Sequence, residues 1–169
     1  MKIFLIGLPG SGKTTLGKKL ALLVKEKFVD LDNEIELREG KKITEIFREN
    51  GEPYFRSLEA KLLKDWCDAQ EGFVLSTGGG APCYGDNMDH INKAGISIFL
   101  DVLIPTITDR IRKDGFFERP LLASLPIEEL NTKIALLRET RLPFYQRAHY
   151  SFSGDSLTAE GVATLIRNR

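Results

Sequence analysis

Residues 7–15 of the chain read GLPGSGKTT, and this stretch decides the fold. Its three glycines would weaken regular structure, because each costs about 0.5–1 kcal/mol relative to alanine inside a helix or strand. The preceding KIFLI, residues 2–6, is an apolar run typical of a buried parallel strand. The following LGKKLALLVKEK, residues 16–27, carries apolar residues at helical spacing. We therefore predict a glycine-rich loop between a strand and a helix.

This loop matches the phosphate-binding pattern G-x-x-x-x-G-K-[ST] at every required position. Its glycines let backbone N–H groups converge on an anion, and the positive end of the following helix dipole adds to the attraction. We expect Lys13 to reach the β- and γ-phosphates of ATP and the Thr14 hydroxyl to ligate Mg²⁺. The loop residues predicted to bind ATP are Gly10, Ser11, Gly12, Lys13, Thr14 and Thr15.

Length and composition narrow the class of protein. The chain has 169 residues, 42% of them hydrophobic, which suits one globular domain with a substantial core. Its formal net charge of zero argues against a general nucleic-acid-binding protein. No apolar run approaches the roughly 18 residues of a membrane span, and the two cysteines form no metal motif. We expect a cytoplasmic protein that binds neither membranes nor nucleic acid.

Strand and helix patterns alternate along the chain. Apolar runs at 2–6, 28–32, 73–77, 97–102 and 149–153 read as strands, and helical patterns such as 56–69 and 127–141 separate them. This order predicts an α/β fold with a five-stranded parallel sheet and helices on both faces. Ligands then gather at the carboxyl ends of the strands.

The second predicted strand ends in FVDLD, so Asp30 and Asp32 would share one face. One carboxylate could hold the hydration shell of Mg²⁺, and the other could orient or deprotonate an acceptor hydroxyl. Alternatively, Asp32 caps a helix and Asp30 is merely solvated, and these residues alone do not decide between the two. Asp101, at the end of the fourth strand, is a competing metal ligand.

Two further features follow later strands. STGGGAP, residues 76–82, exposes backbone N–H groups that could form a wall of an acceptor site or simply a loose turn. Arg56, Arg119, Arg141 and Arg147 could bind carboxylates or phosphates, although a single arginine is more often a surface residue. Residues 112–124 read as a loop long enough to form a mobile lid.

Taken together, these motifs resemble the shikimate kinase family over nearly the whole chain. The resemblance rests on GLPGSGKTT (7–15), FVDLD (28–32), YFRSLE (54–59), STGGGAP (76–82), RPLL (119–122) and RLPFYQR (141–147). It implies a single P-loop kinase domain over 1–169, with an acceptor-binding segment at about 32–60 and a lid at about 112–124. The implied activity is Mg²⁺-dependent transfer of the ATP γ-phosphoryl group to the 3-hydroxyl of shikimate, in aromatic amino-acid (chorismate) biosynthesis, by a monomer.

The resemblance also implies a role for each matching residue. Asp30 would help Thr14 to hold Mg²⁺ through water, and Asp32 would contact the hydroxyls of shikimate as the candidate base. By the same mapping Asp101 lies away from the metal. The implied catalytic residues are Lys13, Asp32 and Arg119.

The remaining implied roles concern the two substrates. Arg56 and Arg147 would bind the carboxylate of shikimate, and Gly78, Gly79 and Gly80 would line the same pocket. Arg112 would flank the adenine of ATP, and Arg119 would reach its phosphates from the lid.

Two other classes of function stay open from the residues. The first is another small-molecule kinase, such as a gluconate or nucleoside monophosphate kinase, although a nucleotide acceptor calls for a larger aromatic pocket. The second is a nucleotide sensor without catalysis, which would not need Asp32 together with a pair of arginines. Turnover of ATP with a panel of acidic alcohols separates the three.

The loop motif generates a first prediction. Lys13→Ala should lower phosphoryl transfer by about a hundredfold or more, because it removes a charge that stabilises the transferring group. The variant should remain folded, as judged by circular dichroism, while steady-state kinetics report the loss. Turnover near that of the wild type would rule out the loop assignment.

Overall fold

The computed structural model of the chain describes residues 1–118, 125–153 and 158–168. Its strands are β1 (Lys2–Ile6), β2 (Lys27–Asp30), β3 (Phe73–Ser76), β4 (Ile96–Asp101) and β5 (Tyr150–Ser153). Its helices are α1 (Lys13–Val24), α2 (Leu31–Glu39), α3 (Ile43–Asp68), α4 (Asn87–Ala94), α5 (Ile104–Glu118), α6 (Ile127–Tyr145) and α7 (Ala159–Arg167). A short 3₁₀ turn covers Ala81–Cys83. Within these residues, no helix is both long and apolar enough to cross a membrane.

The five strands form one parallel sheet in the order β2-β3-β1-β4-β5. In the central strand β1, the consecutive residues Ile3, Phe4, Leu5 and Ile6 are all fully buried. Because neighbouring side chains of a strand point to opposite faces, both faces of the sheet must be covered. The predicted α/β fold with helices on both faces is confirmed.

The strand order brings two glycine-rich loops together. β1 lies beside β3 with Leu5 opposite Ser76, so the loops that follow these strands start at the same edge of the sheet. Thr77 links the ends of β3 and β1, because its backbone N–H and its hydroxyl both donate hydrogen bonds to the Leu5 carbonyl, at 3.1 and 3.0 Å. The P-loop, residues 7–15, therefore lies next to the glycine triplet, residues 78–80.

The expectation of two aspartates on one strand face is wrong. Strand β2 ends at Asp30, and Leu31 already begins helix α2. Asp30 is the N-cap of this helix, with its Oδ1 accepting a hydrogen bond from the Asp32 backbone N–H at 3.2 Å. A carboxylate at this position satisfies a backbone donor that the helix leaves unpaired. A cap is thus present, but at Asp30 rather than at Asp32.

Two helices begin or end at residues other than those that the sequence patterns predict. The predicted helix 56–69 is the second part of α3, which begins at Ile43 and is kinked at Gly51, where φ is 79°. Helix α5 continues to Glu118, so residues 112–118, expected to open a loop-like lid, are helical. The preceding part of the helix is anchored by Ile107 and Ile111, which are both buried and lie one turn apart. Residues 119–124, with Arg119, lie outside the described residues.

The contact between α1 and β2 generates a second prediction. A Cβ on the buried Gly17 of α1 would lie 2.5 Å from Cε2 of Phe28. Gly17→Ala should therefore lower the free energy of unfolding by about 1–3 kcal/mol through overpacking. This cost exceeds the gain of up to about 1 kcal/mol in helix propensity.

Urea denaturation measures the free energy of unfolding, and Phe28→Leu is the second substitution with which Gly17→Ala is combined. The double variant should lose less stability than the sum of the two single variants, because the smaller side chain makes room for the methyl group. Strict additivity would contradict the packing described here.

Candidate active site

The lysine of the P-loop is hydrogen-bonded to the backbone of the same loop. Gly10 and Gly12 have φ values of 79° and 91°, in the left-handed region that side-chain-bearing residues rarely adopt. Lys13, the first residue of α1, is buried, and its Nζ donates to the carbonyls of Gly7 and Leu8, both at 2.9 Å. The predicted order of strand, glycine loop and helix is confirmed, and the N-terminus of α1 opens at the loop.

Thr14 and Asp30, the two predicted metal residues, are in direct contact. The Thr14 hydroxyl donates to Oδ2 of Asp30 at 2.9 Å. A hydroxyl and a carboxylate are hard oxygen donors, and Mg²⁺ usually takes one or two such groups together with substrate phosphates and water. Among the described residues there is no cluster of three or more His, Cys, Asp or Glu that could hold a metal. Thr14 and Asp30 fit a Mg²⁺ ion that also takes phosphate and water ligands.

Asp101, the competing metal residue, has another partner. Arg138 on α6 binds both of its carboxylate oxygens through Nη2, at 2.9 Å each. A carboxylate held in this way already has its negative charge compensated. Asp30, which contacts the P-loop threonine, is the better candidate.

The glycine triplet faces a different charged group at each position. A methyl group built on Gly78 would lie 2.5 Å from Oε1 of Glu59 and 2.9 Å from Oδ1 of Asp32. On Gly79 it would lie 3.0 Å from Nη1 of Arg141. On Gly80 it would lie 2.5 Å from both terminal nitrogens of Arg56. Two acidic and two basic side chains thus converge on a strip of bare backbone.

The P-loop borders this strip directly. A Cβ on Gly79 would lie 2.9 Å from Cδ of Pro9, so the phosphate-binding and glycine-triplet loops touch. Tyr145 fixes the triplet from the other side by donating its hydroxyl to the Gly79 carbonyl at 2.5 Å, and burial raises the pKa of this tyrosine. The side chain of Asn87 donates to the Ala81 carbonyl at 2.8 Å, just beyond the triplet. The backbone is therefore held by hydrogen bonds at the middle residue of the triplet and at the residue that follows it.

Glu59 is a site residue for which the sequence reasoning gave no role. Its side chain is 1% exposed, and it accepts a hydrogen bond from Nη1 of Arg56 at 2.6 Å. Burial raises the pKa of the Glu59 carboxyl above its usual range, and the charge of Arg56 opposes that rise. A signal was present in YFRSLE, because an acid three residues after an arginine lies on the same helix face.

The structure brings Arg141, and not Arg147, to the glycine triplet. Arg147 lies beyond the end of α6, where its guanidinium pairs with Asp89 of α4 and is 43% exposed. Arg141 and Tyr145, four residues apart in α6, share the face that contacts the triplet. The geometry therefore favours Arg141 as the second arginine beside the triplet, and the predicted binding of a carboxylate by Arg147 stays a prediction. The i, i+4 spacing of Arg141 and Tyr145 was the signal that could have found it.

Two arginines are predicted to bind ATP, and only one of them lies within the described residues. Arg112 lies on α5 with an exposed side chain. Arg119 is outside the described residues, so its predicted role at the phosphates stays a prediction.

The P-loop lies next to two acidic and two basic side chains that surround the glycine triplet. This arrangement defines the class of the protein as a P-loop kinase that acts on a small molecule. The family model described as shikimate kinase matches residues 9–169, and the chain belongs to the shikimate kinase family. This membership decides against the nucleotide-sensor, gluconate kinase and nucleoside monophosphate kinase alternatives.

Individual relatives agree with this assignment. A shikimate kinase of Bacteroides fragilis is 43% identical over 93% of this chain and 87% of its own length. The crystal structure of shikimate kinase from Bacteroides thetaiotaomicron matches with a TM-score of 0.89 and 38% identity, over 99% of this chain and 97% of that one. Shikimate kinase from Acinetobacter baumannii in complex with shikimate matches with a TM-score of 0.85 and 34% identity, over 99% and 90% of the two chains.

The contact between Gly80 and Arg56 generates a third prediction. Gly80 has φ −91°, which alanine adopts without strain, so Gly80→Ala changes only the space in front of the guanidinium. The displaced Arg56 should raise the KM for shikimate by about tenfold or more, since small misplacements of binding groups are costly. The KM for ATP should stay near its wild-type value. An unchanged KM for shikimate would contradict a role for Arg56 at this position.

Proposed function

We propose that this chain transfers the γ-phosphoryl group of ATP to the 3-hydroxyl of shikimate, giving shikimate 3-phosphate and ADP, as in its family. The observation that carries the proposal is the convergence of four charged side chains on the glycine triplet, directly beside the P-loop. All of these side chains come from one chain, so a monomer has a complete pocket. We further propose that it acts in the cytoplasm, where ATP is available, and that neither nucleic acid nor a membrane takes part.

The acidic and basic groups of the pocket face different glycines of the triplet, although Glu59 and Arg56 are hydrogen-bonded to each other at 2.6 Å. The carboxylates of Asp32 and Glu59 lie at the Gly78 end, whereas the guanidinium groups of Arg141 and Arg56 lie at Gly79 and Gly80. Shikimate has the matching polarity, with a carboxylate on one side of its ring and hydroxyls on the other. Its carboxylate would therefore bind at the arginine end, where planar donors suit bidentate recognition. Its hydroxyls would then face Asp32.

Asp32 is the proposed base. It is the second residue of α2, and the cap at Asp30 fixes the start of that helix. A half-buried carboxylate in this place can accept the hydrogen bond of the attacking hydroxyl and take its proton during transfer. Asp32 would thereby orient the 3-hydroxyl toward the neighbouring P-loop.

The P-loop side of the site would hold the nucleotide. Lys13 and the loop amides of residues 10–15 would stabilise the negative charge of the β- and γ-phosphates. Thr14 and Asp30 would hold Mg²⁺, with Asp30 acting through water; the bound ion neutralises charge on the phosphate oxygens. Arg112 is proposed to lie at the adenine, and Arg119 to close over the phosphates.

A fourth prediction tests which arginines recognise the acceptor. Wild type should discriminate strongly between shikimate and its neutral carboxamide, because hydrogen bonds from an arginine to a carboxylate are stronger than those to an uncharged amide. Arg56→Ala and Arg141→Ala should each raise the KM for shikimate by about tenfold or more and lose most of this discrimination, since charged hydrogen bonds contribute about 1.5–3 kcal/mol. Coupled ADP-release kinetics with both acceptors measure the effect.

Arg147→Ala is the matched control, because it removes an arginine six residues along the chain that pairs on the surface. It should keep the wild-type preference. If Arg147→Ala loses the discrimination and Arg141→Ala retains it, the assignment of the second arginine is wrong. A wild-type chain that binds ATP but does not phosphorylate shikimate would refute the proposed function itself.

A further inference from the structure

Helix α5 contacts the P-loop with one face. A Cβ on Gly10 would lie 3.1 Å from Cγ1 of Ile111 and 3.2 Å from Cγ2 of Ile107. Between these isoleucines, Arg110 donates a hydrogen bond from Nη1 to the Ser11 carbonyl at 3.1 Å. The same nitrogen lies 3.2 Å from the position of a Cβ on Gly12. The loop is thus held by two apolar contacts and one charged donor from a single helix.

The Arg110 hydrogen bond fixes the orientation of one peptide unit. The Ser11–Gly12 peptide is trans, and in a planar trans peptide the C=O and N–H groups point in opposite directions. Because Arg110 holds the Ser11 carbonyl toward α5, the Gly12 N–H points away from α5. Gly12, with φ 91°, has no side chain that would restrain this peptide by itself.

We infer that Arg110 is a positioning residue for the polyphosphate of the nucleotide: by holding the Ser11 carbonyl, it keeps the Gly12 N–H directed at the bound phosphates. This inference rests on the proposed function only in taking the P-loop to bind ATP. A peptide free to rotate would present its carbonyl oxygen to the phosphates in part of the population, and a partial negative charge there opposes binding. Arg110 acts through the loop backbone and is not assigned a catalytic role.

Calorimetric binding of ATP and of inorganic tripolyphosphate to the full chain tests the inference. Arg110→Ala should raise the Kd of both ligands by about tenfold, because it removes a hydrogen bond from a charged donor that holds the loop peptide in its binding orientation. Arg110→Lys, which can still donate from a cationic group, should recover part of the loss. The KM for shikimate and the melting temperature should stay near wild type.

Lys113→Ala is the matched control, because Lys113 is an exposed cation of the same helix and changes the net charge equally. It should leave both dissociation constants near wild type. Equal weakening by Lys113→Ala and Arg110→Ala would show a long-range charge effect and overturn the inference. Weaker binding of ATP with unchanged binding of tripolyphosphate would place Arg110 at the base and also overturn it, as would an unchanged Kd for both.

Binding is measured without an acceptor, so the test separates this inference from the proposed function. A chain that binds ATP but fails to phosphorylate shikimate leaves the Arg110 result interpretable. A parallel rise in the KM for shikimate together with a lower melting temperature would indicate a general structural role and would count against positioning.

Discussion

The proposed acceptor pocket depends on the absence of side chains at Gly78, Gly79 and Gly80. A single methyl group on any of them would meet a charged or P-loop atom at 3.0 Å or less. The triplet can present bare backbone because β3 is clamped to β1 by Thr77 and because Tyr145 holds the Gly79 carbonyl. The sheet thereby places this strip beside the P-loop, and the charged side chains of three different helices converge on it.

The buried pair of Arg56 and Glu59 explains how a cation is held in the pocket before an acceptor arrives. The Arg56 side chain is 17% exposed and that of Glu59 is 1% exposed, so neither charge is solvated well by water. Removing one member of such a pair leaves a buried charge uncompensated. Glu59 thus restricts the guanidinium to positions near Gly80, and on the proposed function the carboxylate of the acceptor would bind it with little further loss of side-chain entropy.

The positions at which the structure differs from the sequence expectations share a physical cause. From the sequence, Asp30 and Asp32 could both belong to the strand, because a continued strand and the start of a helix can both follow an apolar run. The hydrogen bond from the Asp32 backbone N–H to Asp30 shows that the helix begins between them. Arg141 and Arg147 both flank the same motif, and the end of α6 decides which one faces the triplet. The local sequence pattern does not determine the residue at which a strand or helix ends. The direction of every side chain beyond that end depends on where the end lies.

The sequence by itself determined the P-loop, the alternation of strands and helices, the parallel sheet and the resemblance to a kinase family. These features are local, because glycine spacing and apolar periodicity act through neighbouring residues. Only the tertiary structure decided the burial of Glu59, the choice of Arg141, the partner of Asp101 and the hydrogen bond from Arg110 to Ser11. Each of these joins groups that are close in space through packing of separate elements, up to 99 residues apart for Arg110 and Ser11. No periodicity of the chain encodes such a distance.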